Sequence, residues 1–154
     1  MYQGLFHFIK AAFKDPKNVS TLFPTMKPLA QALIKHTELT SGQNVLELGC
    51  GSGAITQHIL KVSSHQSYLG VELNAELVNY LQNTYPDAPF LKASADNLEG
   101  YVDDNSMDIV ISILLWTMFS ETVQRAILQE ILRVLKPGGS FDTFICINAL
   151  VYPS

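Results

Sequence analysis

Val45-Leu46-Glu47-Leu48-Gly49-Cys50-Gly51-Ser52-Gly53 constrains the fold of this chain more than any other stretch, because a short apolar run passes straight into three glycines spaced two apart. Such a run reads as a buried strand, and Ala54 to Lys61 follows at helical spacing. A strand, a glycine turn and a helix in that order bring bare backbone to a helix N-terminus, where a nucleotide can be bound. Glycine tolerates positive φ and lacks the Cβ that would hold a ribose or amino-acid moiety away from the main chain.

The elements around the turn predict how it is supported. Helices are expected from about Tyr2 to Lys14 and from about Met26 to His36, ahead of the Ser41-Gly42 turn. Strands at Val45–Leu48, Tyr68–Glu72 and Phe90–Lys92 then alternate with helices at 54–61 and Ala75–Thr84, a pattern that makes a parallel sheet with right-handed crossovers. The β-branched run from Ile109 to Leu115 predicts a strand buried on both faces. Ser120 can cap a helix through Leu135, with Leu128, Ile131, Leu132 and Leu135 as its core stripe. Lys136-Pro137-Gly138-Gly139 stops that helix, and Ser140 to Ile147 is the expected fifth strand. The 154 residues suit one α/β domain over 41–154, with a helical segment over 1–40 packed on it or preceding it.

Charge is unevenly spread. Residues 1–40 carry five lysines against Asp15 and Glu38, whereas residues 41–154 carry five basic and twelve acidic side chains. An acidic body lacks the clustered cations that phosphate contacts need, so no nucleic-acid partner is expected. Leu5, Phe6, Phe8, Ile9, Ala12 and Phe13 form a broad apolar face beside Lys10, Lys14 and Lys17. That pattern suits either an interfacial helix on an anionic membrane, through residues 1–17, or a helix packed on its own domain. The two cysteines, Cys50 and Cys146, lie far apart and suggest a reducing compartment. With no signal-like or membrane-span pattern, the expectation is a cytoplasmic protein, peripheral at the inner membrane face if the first helix binds lipid.

Glu72 ends the second strand nineteen residues after Gly53, where a carboxylate can accept hydrogen bonds from both hydroxyls of an adenosine ribose. Gly49 to Ala54 also satisfies G-x-G-x-x-A, so NAD and an oxidoreductase stay open on this evidence alone. Two features weigh against the dinucleotide. Glu47 would repel a pyrophosphate but could help hold a cationic amino group, and Ala95-Asp96-Asn97 puts a polar pair after the third strand, where an adenine amine would lie. Asp96 and Asn97 also read simply as a turn.

With these residues in hand, the chain resembles the class I S-adenosylmethionine-dependent methyltransferases. The resemblance rests on Val45–Gly53, Gly70-Val71-Glu72-Leu73, Ala95-Asp96-Asn97, Asp108–Ile113 and Leu132-Arg133-Val134-Leu135-Lys136-Pro137-Gly138-Gly139. It implies a Rossmann-like sandwich, S-adenosyl-L-methionine as cofactor, and contacts to it from Glu47, Gly49, Cys50, Gly51, Gly53, Glu72, Leu73, Asp96, Asn97 and Ile113. Phe6 to Val19, with Phe23-Pro24-Thr25-Met26 and Leu29-Ala30, looks like the start of the bacterial phospholipid N-methyltransferases, themselves similar to the rRNA adenine dimethylases. That likeness implies a phosphatidylethanolamine-like amine as acceptor, though the turn Ile113-Leu114-Leu115-Trp116-Thr117 lacks the proline expected there and a small-molecule acceptor stays open. A module that binds cofactor without turnover is the remaining alternative.

Methyl transfer needs alignment more than covalent chemistry, so no side chain is singled out as catalytic. Trp116, Met118 and Phe119 suit core packing better than a cation–π role. His7, His36, His58 and His65 show no metal-ligand spacing, and no metal is expected. Proteins of the resembled class add an antiparallel strand pair after the fifth strand, which residues 148–154 are too few to form. The expectation is therefore a fifth strand left as an open edge, with Phe144, Cys146 and Leu150 poorly covered, hidden by self-association or reflecting a shortened chain.

Overall fold

Side-chain alternation along the strands sorts the core into two halves. In β1 (Val45–Leu48), Val45 joins one apolar cluster while Leu46 and Leu48 join the other. β4 (Met107–Ser112) repeats this, with Ile109 and Ile111 on the first side and Val110 on the second. Strands buried on both faces must be covered on both, and helices do so here. The computed structural model describes residues 26–112, 116 and 119–143.

The sheet is completed by β2 (Tyr68–Glu72), β3 (Phe90–Lys92) and β5 (Leu135–Thr143), in the order β3-β2-β1-β4-β5 with every pair parallel. This is the parallel α/β sheet expected from the alternation of elements, in the Rossmann-like arrangement that the family resemblance implies. On the first side lie α1 (Met26–His36), the short α2 (Thr56–Ile59) and α3 (Ala75–Thr84), which supply Ala30, Leu33, Ile59, Val78 and Leu81 to the core, joined by Ile55 at the N-cap of α2. On the second side α4 (Glu121–Val134) supplies Ile127, Ile131 and Val134. The strand order reverses between β1 and β4, so the crevice at the carboxyl ends of these strands is where an open α/β sheet binds ligands.

Caps fix the helix starts. The Asn74 side chain accepts from the amides of Glu76 (2.8 Å) and Leu77 (3.3 Å), and the Ser120 hydroxyl accepts from Val123 (3.4 Å). Three sequence expectations need correction. The helix expected over 54–61 narrows to α2, because bonds of the i to i+3 kind, His58 N–H to Ile55 and Val62 N–H to Ile59, tighten the turns on either side. In α4 the buried stripe is Ile127, Ile131 and Val134, while Leu128 and Leu132 are 41% and 73% exposed. Finally, the helix stops at Val134, and Leu135 is already extended and opposite Met107 in the sheet.

Lys136 to Gly139 are therefore part of β5 and bulge out of it. The register jumps from Met107 opposite Leu135 to Ile109 opposite Ser140. Pro137 has no amide to donate, Gly138 takes a φ of 82°, and a Cβ on Gly139 would come within 2.9 Å of the Asp108 carbonyl oxygen. The Lys136 ammonium meets both Asp108 carboxylate oxygens at 2.9 Å, and Asp108 Oδ2 also accepts the Asn44 amide at 2.8 Å. Lys136 holds the Asp108 carboxyl below its ordinary range. The bulge is thus clamped to the start of β1.

The first helix expected over Tyr2–Lys14, Ile113 to Leu115 and the strand portion beyond Thr143, with Phe144 and Cys146, lie outside the described residues. Among those described, no helix is long and apolar enough to cross a membrane.

Candidate functional site

The glycine turn begins where β1 ends. Gly49, Gly51 and Gly53 all have positive φ, at 77°, 55° and 86°. Their reasons differ. A Cβ on Gly51 would meet nothing within 4 Å, so that backbone faces open space a ligand can fill. A Cβ on Gly53 would press on Leu81 Cδ2 (3.0 Å) and Tyr85 Cε2 (3.2 Å), so this glycine lets the turn pack on α3. The turn is hung on β2, where the Val71 carbonyl accepts from Gly49 N–H (2.8 Å) and Cys50 N–H (3.3 Å).

Glu72 closes the other side. Its Oε2 accepts the Gly51 amide at 2.9 Å and its Oε1 accepts the Asn74 amide at 2.9 Å. A carboxylate oxygen has two lone-pair sites, so each keeps capacity for a hydroxyl donor such as a ribose diol. Leu73, next along the chain, is 65% exposed and offers an apolar wall at the same end of the sheet. After β3, the Ala93 amide donates to the Glu72 carbonyl (3.2 Å) and the Asn97 amide to Ser94 (3.0 Å), which turns Asp96 and Asn97 into the same region of the strand ends. Asp96 is half-buried and Asn97 exposed.

Glu47 lies beneath this surface. It is 2% exposed, and its Oε2 accepts from the Tyr68 hydroxyl at 2.6 Å and the Thr56 hydroxyl at 2.8 Å. Burial pushes the Glu47 carboxyl up to about 7, with the Glu72 charge adding to the rise and the two hydroxyl bonds opposing it. Burial and the Glu47 charge likewise raise the Tyr68 hydroxyl and the Cys50 thiol well above their ordinary values. The Cys50 sulfur is turned inward, 3.6 Å from the Tyr68 oxygen and 3.5 Å from the Val71 carbonyl oxygen. Gly70, opposite Glu47 in the sheet, makes this crowding feasible, because a Cβ there would come within 2.6 Å of the Tyr68 oxygen and 2.8 Å of the Cys50 sulfur.

Of the residues expected to contact a cofactor, the fold gathers Gly49, Gly51, Glu72, Leu73, Asp96 and Asn97 at the strand ends. Cys50 and Gly53 belong to the turn but direct their bulk, or its absence, toward the core. Ile113 lies outside the described residues. Tyr68 and Thr56 went unnoticed in the sequence, although an aromatic residue starting β2 on the same side of the sheet as Glu47 is a usable signal. Trp116 is buried in the second cluster, with its indole N–H donating to the Thr143 hydroxyl (2.9 Å) and its ring edge-on to Phe141, so it packs rather than faces a ligand. Among the described residues no cluster of His, Cys, Asp or Glu is assembled for a metal.

An open β-to-α glycine turn beside a strand-end carboxylate that retains acceptor capacity fits an adenosyl group. The sheet defines a Rossmann-like domain, and the family described as "Methyltransferase domain" matches residues 45–139. The chain belongs to that family, whose cofactor is S-adenosylmethionine. It is 31% identical over 102 residues to the phthiotriol/phenolphthiotriol dimycocerosates methyltransferase of Mycobacterium tuberculosis, covering 65% of this chain and 36% of that one. It is 30% identical over 105 residues to the fatty-acid O-methyltransferase of Mycolicibacterium smegmatis, again covering 65% and 36%. The chain thus spans little more than a third of the length of these relatives. Among solved structures, a putative S-adenosyl-L-methionine-dependent methyltransferase from Methanococcus maripaludis has the same fold, with a TM-score of 0.70, 19% identity, and coverage of 88% of this chain and 63% of that one.

Proposed function

We propose that this protein transfers the methyl group of S-adenosylmethionine to a polar group on a lipid. The reading is carried by the Glu72 carboxylate, held by the Gly51 and Asn74 amides with acceptor capacity to spare at the edge of the glycine turn. Two relatives whose names specify lipid acceptors support the substrate class. The finer expectation is a phosphatidylethanolamine-like amine, reached by a protein resting on an anionic membrane through residues 1–17.

Bound S-adenosylmethionine supplies an electrophilic methyl on a sulfonium. The chain's own work is to bind and align. Glu72 accepts the ribose hydroxyls, Gly51 lets the main chain approach, Leu73 contacts the adenine face, and Asp96 and Asn97 meet its amino edge. Glu47, when ionised, places a negative charge under the turn and favours a cationic donor. No protein nucleophile is required, since alignment and exclusion of water bring the acceptor in line.

Calorimetry with S-adenosylhomocysteine and with NADH tests the cofactor, and radiolabelled methyl transfer to phosphatidylethanolamine, a fatty acid and a panel of small amines tests the acceptor. Binding of S-adenosylhomocysteine but not NADH, with label entering a lipid, is the expected result. Absence of S-adenosylhomocysteine binding overturns the reading. Binding without label in any acceptor leaves a module that holds cofactor without turnover.

A further inference from the structure

We propose that Glu130 is a positioning residue for adenine selectivity, acting through the backbone of Leu98 on the turn that carries Asp96 and Asn97. The inference rests on the reading above, in which that turn meets the adenine amine. Residues 93–97 are suspended between two fixed points. At one end the Ala93 amide is bound by the carbonyl of Glu72, the residue assigned to the ribose. At the other, the Leu98 amide donates to Glu130 Oε2 at 2.7 Å, across from α4.

Leu98 is fully buried in the second apolar cluster, so its side chain and its amide are both secured. Glu130 is itself held in a fork, with Arg133 Nε donating to Oε1 and Nη2 to Oε2, both at 2.9 Å. Arg133 Nη1 reaches onward to the Val102 carbonyl (2.9 Å) and to Asp104 (2.6 Å). One Glu and one Arg, three residues apart on α4, thus grip the loop at Leu98, Val102 and Asp104. The fork keeps the Glu130 carboxyl ionised, below its ordinary range, and a charged acceptor binds an amide more tightly than a neutral one. Such a grip removes freedom from the turn before ligand arrives, so the cost of ordering it is not taken from adenine recognition.

The test compares affinities of the full chain for S-adenosylhomocysteine and for its inosine counterpart, which carries a 6-oxo group in place of the 6-amine. Wild type should prefer the adenosine form by about tenfold, and Asp96→Ala should bring the ratio near unity. Glu130→Gln keeps one acceptor oxygen for Leu98 but gives up the charge and half of the Arg133 fork, so its ratio should fall between those of wild type and Glu130→Ala. Glu130→Asp, with the charge retained but the carboxylate withdrawn by one methylene, should lose at least about threefold of it, as should Glu130→Ala. A Glu130→Asp protein that is folded and keeps the wild-type ratio overturns the proposal, even if its Tm has dropped. Wild type that binds both ligands equally, or an Asp96→Ala variant with an unchanged ratio, overturns the adenine reading itself and the proposal with it.

Discussion

Burial holds the Glu47 carboxyl at about 7 in the folded chain against an ordinary 4.5. Between those values the folded state keeps a proton that the unfolded state has released, so this group's contribution to stability falls as pH rises through that window and is constant above it. The loss amounts to about 3 kcal/mol. In Glu47→Gln the amide oxygen can still accept from Tyr68 and Thr56, but nothing ionises. Urea unfolding at pH 5 and pH 8 should show wild type losing about 2–3 kcal/mol more than Glu47→Gln between the two, the rest of the loss falling below pH 5, and parallel losses would mean that Glu47 is not the titrating group. Glu72 calls for a different measurement. Its removal in Glu72→Ala takes away the partner of the Gly51 amide together with the acceptor proposed for the ribose diol, and calorimetry should find S-adenosylhomocysteine bound about 10- to 100-fold more weakly. The placement of Glu72 beside the glycine turn was legible because its spacing from the glycines is a local property of the sequence. The burial of Glu47 was not, because Thr56 and Tyr68 come to it from α2 and β2.

At the scale of elements, β1, β2 and β3 stand where the sequence predicts them, since each is a short apolar run bounded by turn residues. The helix α4 was legible as a helix but not in its facing. Leu128, Ile131, Leu132 and Leu135 obey helical spacing as well as Ile127, Ile131 and Val134 do, and only the sheet decides which stripe is buried. The two stripes make opposite predictions. Ile131→Ala should cost about 2–4 kcal/mol, whereas Leu132→Gln should change stability by less than about 0.5 kcal/mol, both read by chemical denaturation. A large loss from Leu132→Gln would place that side chain against protein. Lys136-Pro137-Gly138-Gly139 reads as a helix stop, yet its demands come from β4, because the Asp108 carbonyl leaves no room for a Cβ on Gly139. Gly139→Ala should therefore destabilise the protein by about 1–3 kcal/mol. A neutral outcome would show that the bulge can relax.

The whole molecule sets a basic first segment against an acidic body, five lysines and two acids in residues 1–40 against five basic and twelve acidic groups beyond. Such a distribution orients a protein toward an anionic surface. The full chain should co-sediment with phosphatidylglycerol vesicles, more weakly as salt is raised, and removal of residues 1–17 should abolish the binding; undiminished binding after that removal rules this route out. Connectivity has a consequence of its own. The middle strand receives one neighbour from β2, about twenty residues downstream in sequence, but its other neighbour is β4, and the lock between Asn44 and Asp108 spans 64 residues. While the ribosome is still working through that interval, β1 can be zipped on one flank only, and its bare flank is a sticky template for any extended peptide nearby. A nascent chain of this topology has most need of a chaperone in that interval, before Asp108 clears the exit tunnel.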